Sequence, residues 1–158
     1  MAQQIPEAEL IRNTYIIREM DIPPQVKLTK RSLLRWLALS LGLISENESR
    51  STVLDVLDAL FYFQFAKSQN PTTEELQSYV KEKFGREISE KLMRYHLNRL
   101  IQMKLLLRRK SRYVFNNSPY AEKQDIKAAF DHWFAGSLSR CTKDIGETLQ
   151  KLALSYKK

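Results

Sequence analysis

Between residues 88 and 112 the side chains able to do chemistry are hydrogen-bond donors. Lys91, Arg94, Asn98 and Gln102 follow one another at three- and four-residue steps, with Ser89 just ahead of them and Tyr95 beside Arg94. On a helix that spacing lines them along one face. An ammonium or guanidinium can reach guanine acceptors or phosphates, and the carboxamides of Asn98 and Gln102 carry the paired donor and acceptor that match adenine in a major groove. A few residues on, Arg108, Arg109, Lys110 and Arg112 place four cations in five positions, chemistry that suits phosphates or an adjacent minor groove. With Lys91, Arg94, Arg99 and Lys104 they oppose Glu90 alone, so this segment holds +7 of the chain's formal +8. Residues 1–51, 52–87 and 113–158 are nearly balanced, at +1, −2 and +2. A solvated face usually mixes signs, and this concentration points to a polyanionic partner in preference to a merely basic surface.

Other reactive residues read more plainly. His96, next to Leu97, reads as a packing residue, and His132 has no partner at ligand spacing on its own helix apart from Asp131, which points elsewhere. Two histidines and one cysteine cannot supply a structural zinc site from soft ligands, and no metal or cofactor is expected. Cys141 reads as a small apolar helix residue, with an intersubunit disulfide or redox role as the alternative. Asp55 and Asp58 share a face in the first turns of a helix, where negative charge offsets the helix dipole. Trp36, Phe61, Tyr62, Phe63, Phe65, Trp133 and Phe134 read as core or dimer interface, and an effector pocket among them stays open. The chain has no glycine-rich phosphate loop, Gly-x-Ser-x-Gly turn or His-Glu-x-x-His pair, so it is expected not to be an enzyme.

One cysteine forms no internal disulfide, and Met1 to Pro6 lacks the basic start and apolar stretch of a leader; a cytoplasmic protein is expected. The most apolar window, Leu33 to Ile44, is interrupted by Arg35 and falls well short of the ~20 residues a bilayer needs, so no membrane partner is expected.

The elements that must position these residues are mostly helices. Leu10, Ile11, Tyr15, Ile16 and Ile17 suggest an N-terminal helix ended by Pro23-Pro24. Thr29 can cap a second helix through about Leu43. The spacing Thr52 to Asp55 predicts a capping box opening a third, with Leu54, Leu57, Leu60, Phe61 and Phe65 recurring as far as Lys67. After Asn70-Pro71, Thr72 and Glu75 open a fourth helix that Gly85 can close, and Ser89 can cap a fifth with Met93, Leu97, Leu100 and Ile101 inward. The short turn between the last two is the geometry of a helix-turn-helix. Leu105–Arg108 and Arg112–Phe115 flank the polar tip Arg109-Lys110-Ser111 and predict a two-stranded hairpin. Pro119 is expected at the first position of a following helix bearing Ile126, Phe130, Trp133 and Phe134. A last helix carries Leu138, Cys141, Ile145, Leu149, Leu152 and Tyr156 on one stripe.

The order helix, helix, helix, basic hairpin over 52–116 resembles the winged helix-turn-helix domain of prokaryotic and archaeal transcriptional regulators of the ArsR, MarR and PadR type. The local likeness is carried by Ser89-Glu90-Lys91-Leu92-Met93-Arg94-Tyr95-His96-Leu97-Asn98-Arg99-Leu100, followed by Met103-Lys104-Leu105-Leu106. Here Lys104-Leu105 stands where that group commonly has Gly-Leu, and the hairpin lacks glycine. The resemblance implies a mainly α fold: a winged-helix DNA-binding domain at 52–116 with a small β-hairpin wing, an N-terminal helical extension at 1–51 and a C-terminal one at 117–158. Metal sensing, familiar in the ArsR group, finds no ligand set here.

Together these features lead to the expectation of a transcriptional regulator of double-stranded DNA, homodimeric through its extra helices, that reads the major groove with Ser89, Lys91, Arg94, Tyr95, Asn98 and Gln102. Arg108, Arg109, Lys110 and Arg112 would hold the backbone. The alternatives are a winged-helix scaffold that binds proteins within a larger complex, because fold does not determine function, and a nucleic-acid binder without sequence preference.

Overall fold

The computed structural model describes residues 4–48 and 51–157. It is mainly helical, with one antiparallel hairpin. After a single turn, α1 (Glu7–Leu10), the chain runs without regular structure to a 3₁₀ turn at Pro24–Leu28. Helix α2 (Lys30–Ser40) follows, then α3 (Thr52–Phe61), which widens into a π-turn over Tyr62–Ala66. Helices α4 (Thr73–Phe84) and α5 (Glu90–Gln102) lead into strands β1 (Leu106–Arg109) and β2 (Arg112–Phe115). The chain ends in α6 (Ile126–Phe130), a π-turn (Asp131–Ala135) and α7 (Gly136–Tyr156).

The core lies where α2, α3, α4 and α5 meet the hairpin. Val53, Val56 and Leu57 of α3, Leu76 and Val80 of α4, Met93, Leu97 and Leu100 of α5, and Leu106 and Tyr113 of the hairpin are buried together. The local signals explain the boundaries. Thr29, Thr72 and Ser89 each accept a hydrogen bond from the backbone N–H three residues on, and Gly85 closes α4 in the left-handed region at φ +66°.

Four expectations are corrected. The N-terminal helix stops at Leu10, and the segment beyond it is a strap. Its β-branched Ile11, Thr14, Ile16 and Ile17 are weak helix formers. Out of helical conformation, the Arg18 N–H donates to the Ser40 carbonyl (2.8 Å), and its Nη1 donates to those of Leu39 (2.7 Å) and Ile44 (2.9 Å). These contacts gather the orphan carbonyls at the end of α2. Gly42 (φ +68°) completes that end, with its own N–H on the Leu39 carbonyl and the Leu43 N–H on Ala38. The strap lies so close that a Cβ on Gly42 would meet Ile16 Cγ2 at 2.5 Å.

The second correction concerns Thr52 and Asp55, which form no capping box. Ser51 occupies the N-cap without a side-chain bond, the Thr52 hydroxyl pairs with His96 Nε2 at 2.7 Å, and Asp55 turns inward. Third, Pro119 opens no helix; Asp125 does, its Oδ1 accepting from the Ala128 N–H at 3.0 Å. Fourth, the last two helices are one helical run, because Phe130, Asp131, Ala135 and Gly136 all keep right-handed helical dihedrals through the π-turn. Among the described residues no helix is long and apolar enough to cross a membrane.

Candidate nucleic-acid interface

Helix α5 is set by both of its ends. Ser89 Oγ accepts from the Leu92 N–H at 3.1 Å, and Gln77 Nε2 donates to the Ile88 carbonyl at 2.9 Å, pinning the turn to α4. At the other end Lys104 sits at φ +62°, with its N–H on the Ile101 carbonyl and the Leu105 N–H on Leu100. Lysine thus fills a left-handed position of the kind that helices commonly close with glycine.

With Met93, Leu97 and Leu100 inward, Lys91, Arg94, Tyr95 and Asn98 form one exposed face, as the spacing predicts. Arg94 Nη2 lies 2.6 Å from Glu90 Oε1, one turn back. Arg99 also lies on α5, but its Nη1 and Nη2 donate to the carbonyls of Leu43 (3.0 Å) and Gly42 (2.9 Å), with its guanidinium over the Tyr95 ring. Gln102 shares the face in angle but not in place. It stands at the far end of α5, where Asn13 of the strap donates to its carbonyl at 3.2 Å, and it is separated from the Lys91–Asn98 group.

The hairpin divides its cations in the same way. Leu106 opposes Phe115 and Arg109 opposes Arg112, so the tip is the two-residue turn Lys110-Ser111, both at positive φ (51° and 64°). That is the turn geometry whose twist suits a hairpin, reached here without glycine. Arg112 Nη1 donates to the Asn70 carbonyl (2.8 Å) and to Glu75 Oε1 (3.2 Å), while the Tyr113 N–H donates to Pro71 (2.9 Å). Arg112 therefore ties the hairpin to the start of α4. Arg109 and Val114 lie on the same side of the hairpin and, with Phe65 and Lys123, line a cleft of about 450 Å³ facing residues 116–126. Arg108 lies on the other side, over the Tyr113 ring, and Lys110 projects from the tip. Among the described residues Lys91, Asn98, Arg108 and Lys110 make no side-chain hydrogen bond or ion pair, whereas Arg99 and Arg112 are committed to the fold.

Compared with family models, curated proteins and solved structures, the chain matches none of them. What the surface can do is read from its own atoms.

The most buried ionisable group is one whose role the sequence pattern misses. Asp55 is fully buried, with Arg31 Nη1 2.9 Å from Oδ1 and Arg86 Nη1 3.4 Å from Oδ2, although neither N–H is aimed squarely at its oxygen. The two arginines join α2 and the α4–α5 turn to α3, which orients α5 against the body. Asp58, one turn on, accepts from Tyr79 (2.6 Å) and Lys83 (2.8 Å); burial of the phenol and then this carboxylate raise the Tyr79 pKa, and the same carboxylate raises that of Lys83. His96 is buried with Nδ1 unpartnered, and burial together with nearby Arg99 holds its pKa below the ordinary value. Its imidazole therefore packs in neutral form behind the exposed face. His132 stands edge-on to Trp133, and no group of three metal-ligating side chains occurs among the described residues.

Proposed function

We propose that residues 52–116 form a winged helix-turn-helix and that the protein is a regulator that reads duplex DNA. In this reading the exposed face of α5 enters the major groove and the hairpin lies on the backbone. The observation that carries it is the capped, otherwise uncovered row Lys91, Arg94, Tyr95 and Asn98 on a helix whose opposite face is the core of the fold. Lys91 and Arg94 offer charge to guanine or phosphate, and Asn98 offers the carboxamide pair for adenine. Arg108 and Lys110 supply phosphate contacts from a second element, so two surfaces meet one polyanion.

Selection of bound duplexes from a random DNA pool by the purified protein tests the reading. Enrichment of one half-site supports it. Binding of all duplexes alike would reduce the protein to a nonspecific binder, and no salt-dependent binding to any duplex would overturn the reading. Replacing Arg108 and Lys110 by Ala should lower the slope of log affinity against log salt by about 1–2, since each lost phosphate contact removes about 0.9. A second reading, a protein-docking scaffold, draws on Leu92 and Tyr95, which leave an apolar and an aromatic side chain exposed on the same helix.

A further inference from the structure

The cleft of about 450 Å³ beside the hairpin is walled by the π-turn that ends α3, by the side of the hairpin that carries Arg109 and Val114, and by residues 116–126. The last wall is fastened to the first. Gln124 Nε2 donates to the Gln64 carbonyl (3.1 Å) and the Gln124 N–H to Asn117 Oδ1 (3.4 Å), while Trp133 Nε1 donates to the Asn117 carbonyl (2.8 Å). Ser68 and Gln124, both lining the cleft, hold positive φ (51° and 71°) without being glycine. Left-handed side-chain-bearing residues and π-turns cost energy and collect at binding sites. The volume is that of a small-molecule site.

Three kinds of side chain line it. Arg109 on the hairpin and Lys123 on the wall of residues 116–126 are exposed and make no hydrogen bond or ion pair among the described residues. Among those residues no Asp or Glu lines the cleft: Glu122 and Asp125 are near Lys123 in sequence but stand outside, and Asp125 caps α6. Phe65 stacks on Phe61, with ring centroids 5.7 Å apart and planes 27° apart, and is still 37 % exposed. It is a platform for one more ring. Asn70, whose carboxamide makes no hydrogen bond among the described residues, adds a paired donor and acceptor. We propose that this cleft binds a nucleoside monophosphate, with the phosphate held by Arg109 and Lys123, the base on Phe65 and the base edge toward Asn70. Two cations match the charge of roughly −2 on a phosphate monoester, whereas a carboxylate would leave one of them unpaired. Stacking accepts any base, and the carboxamide favours adenine. The inference does not rest on DNA reading, because Arg108 and Lys110, which hold the duplex backbone in that reading, lie outside the cleft.

Calorimetric titration of the full-length protein with adenosine monophosphate tests the proposal. One molecule should bind per chain, about 10-fold or more tighter than adenosine or inorganic phosphate, each of which makes only part of the contacts. Arg109→Gln and Lys123→Gln should each weaken binding by about 10-fold, and Phe65→Leu by about 5-fold or more. Arg108→Gln, the same change on the other side of the hairpin, should leave the affinity as it is. The three cation variants should keep the wild-type thermal midpoint, since none of these side chains bonds to the fold. Absence of saturable binding at millimolar adenosine monophosphate overturns the inference, and so does an equal loss in Arg108→Gln, which would mean diffuse attraction to a basic surface. Inorganic phosphate binding as tightly as the nucleotide, or an unchanged affinity in Phe65→Leu, would leave no place for the base and overturn it too. A single-stranded oligoadenylate that binds more tightly, with the same dependence on Arg109 and Phe65, would make the cleft a groove for a strand and refute the mononucleotide site.

Discussion

Helices α5 and α7 have the same kind of sequence and opposite fates. Both carry an apolar stripe at helical spacing and a charged face opposite it. On α5 the stripe disappears into the core, leaving Met93 and Leu97 without exposed surface, while the stripe of α7 stays in solvent. Periodicity states which face of a helix is apolar; it does not state what covers that face. For α5 the cover is α3, α4 and the hairpin, reached through short turns. α7 projects from a long helical run whose last buried residue is Phe134.

Truncation of the two stripes is the sharpest test of that contrast. Leu97→Ala should cost about 2–5 kcal/mol in denaturant unfolding, as a buried leucine leaves a cavity. Leu149→Ala should cost less than about 0.5 kcal/mol, because that side chain is exposed. Equal losses would mean that α7 folds onto its own body.

Two arginines five residues apart on α5 divide function from fold. Arg94→Ala should weaken binding to the selected duplex by about 1–3 kcal/mol and relax base preference, without changing the unfolding midpoint. Arg99→Ala should do the reverse. It removes two charge-assisted bonds to the Gly42 and Leu43 carbonyls at a stability cost of about 1–3 kcal/mol, with affinity per folded molecule preserved. Duplex titration and chemical denaturation on the same two variants separate these outcomes.

The glycine positions of the two helices predict smaller, opposite substitutions. Lys104→Gly relieves a left-handed lysine after α5 and should raise stability by about 1 kcal/mol. Gly146→Ala, in a right-handed helix interior with open space around the added Cβ, should instead raise the helicity of α7, by about 0.5–1 kcal/mol. Thermal unfolding followed by circular dichroism reads both.

The smallest effect is one of pH. His96 in the fold has a pKa below its ordinary 6.5, so between that value and its folded one the unfolded chain binds a proton that the folded chain does not. Stability should be full above pH 6.5 and decline as the pH falls through that window. The decline should flatten in His96→Asn. A wild-type midpoint flat from pH 7 to 5 would show that His96 is not held neutral.

Much of the architecture could be read in the chain because its signals are local. Thr29, Thr72 and Ser89 cap helices through atoms three residues away, Gly85 closes one through its own backbone, and the inward stripe of α5 follows from a spacing of three and four. The hairpin and the exposed row Lys91, Arg94, Tyr95 and Asn98 come from the same short-range pattern. Where the local pattern misled, a distant group had taken the residue: Thr52 turned to His96, and Arg18 drew the strap onto the end of α2. The concentration of positive charge in 88–112 was a property of the sequence, but its division was not. Arg99 meets carbonyls 56 and 57 residues away and Arg112 meets one 42 residues away, while Arg94, Arg108 and Lys110 remain at the surface. Side chains of one type differ in this way because a guanidinium is directed by whichever acceptors the folded chain brings within 3 Å of it, and no spacing within a single helix encodes those acceptors.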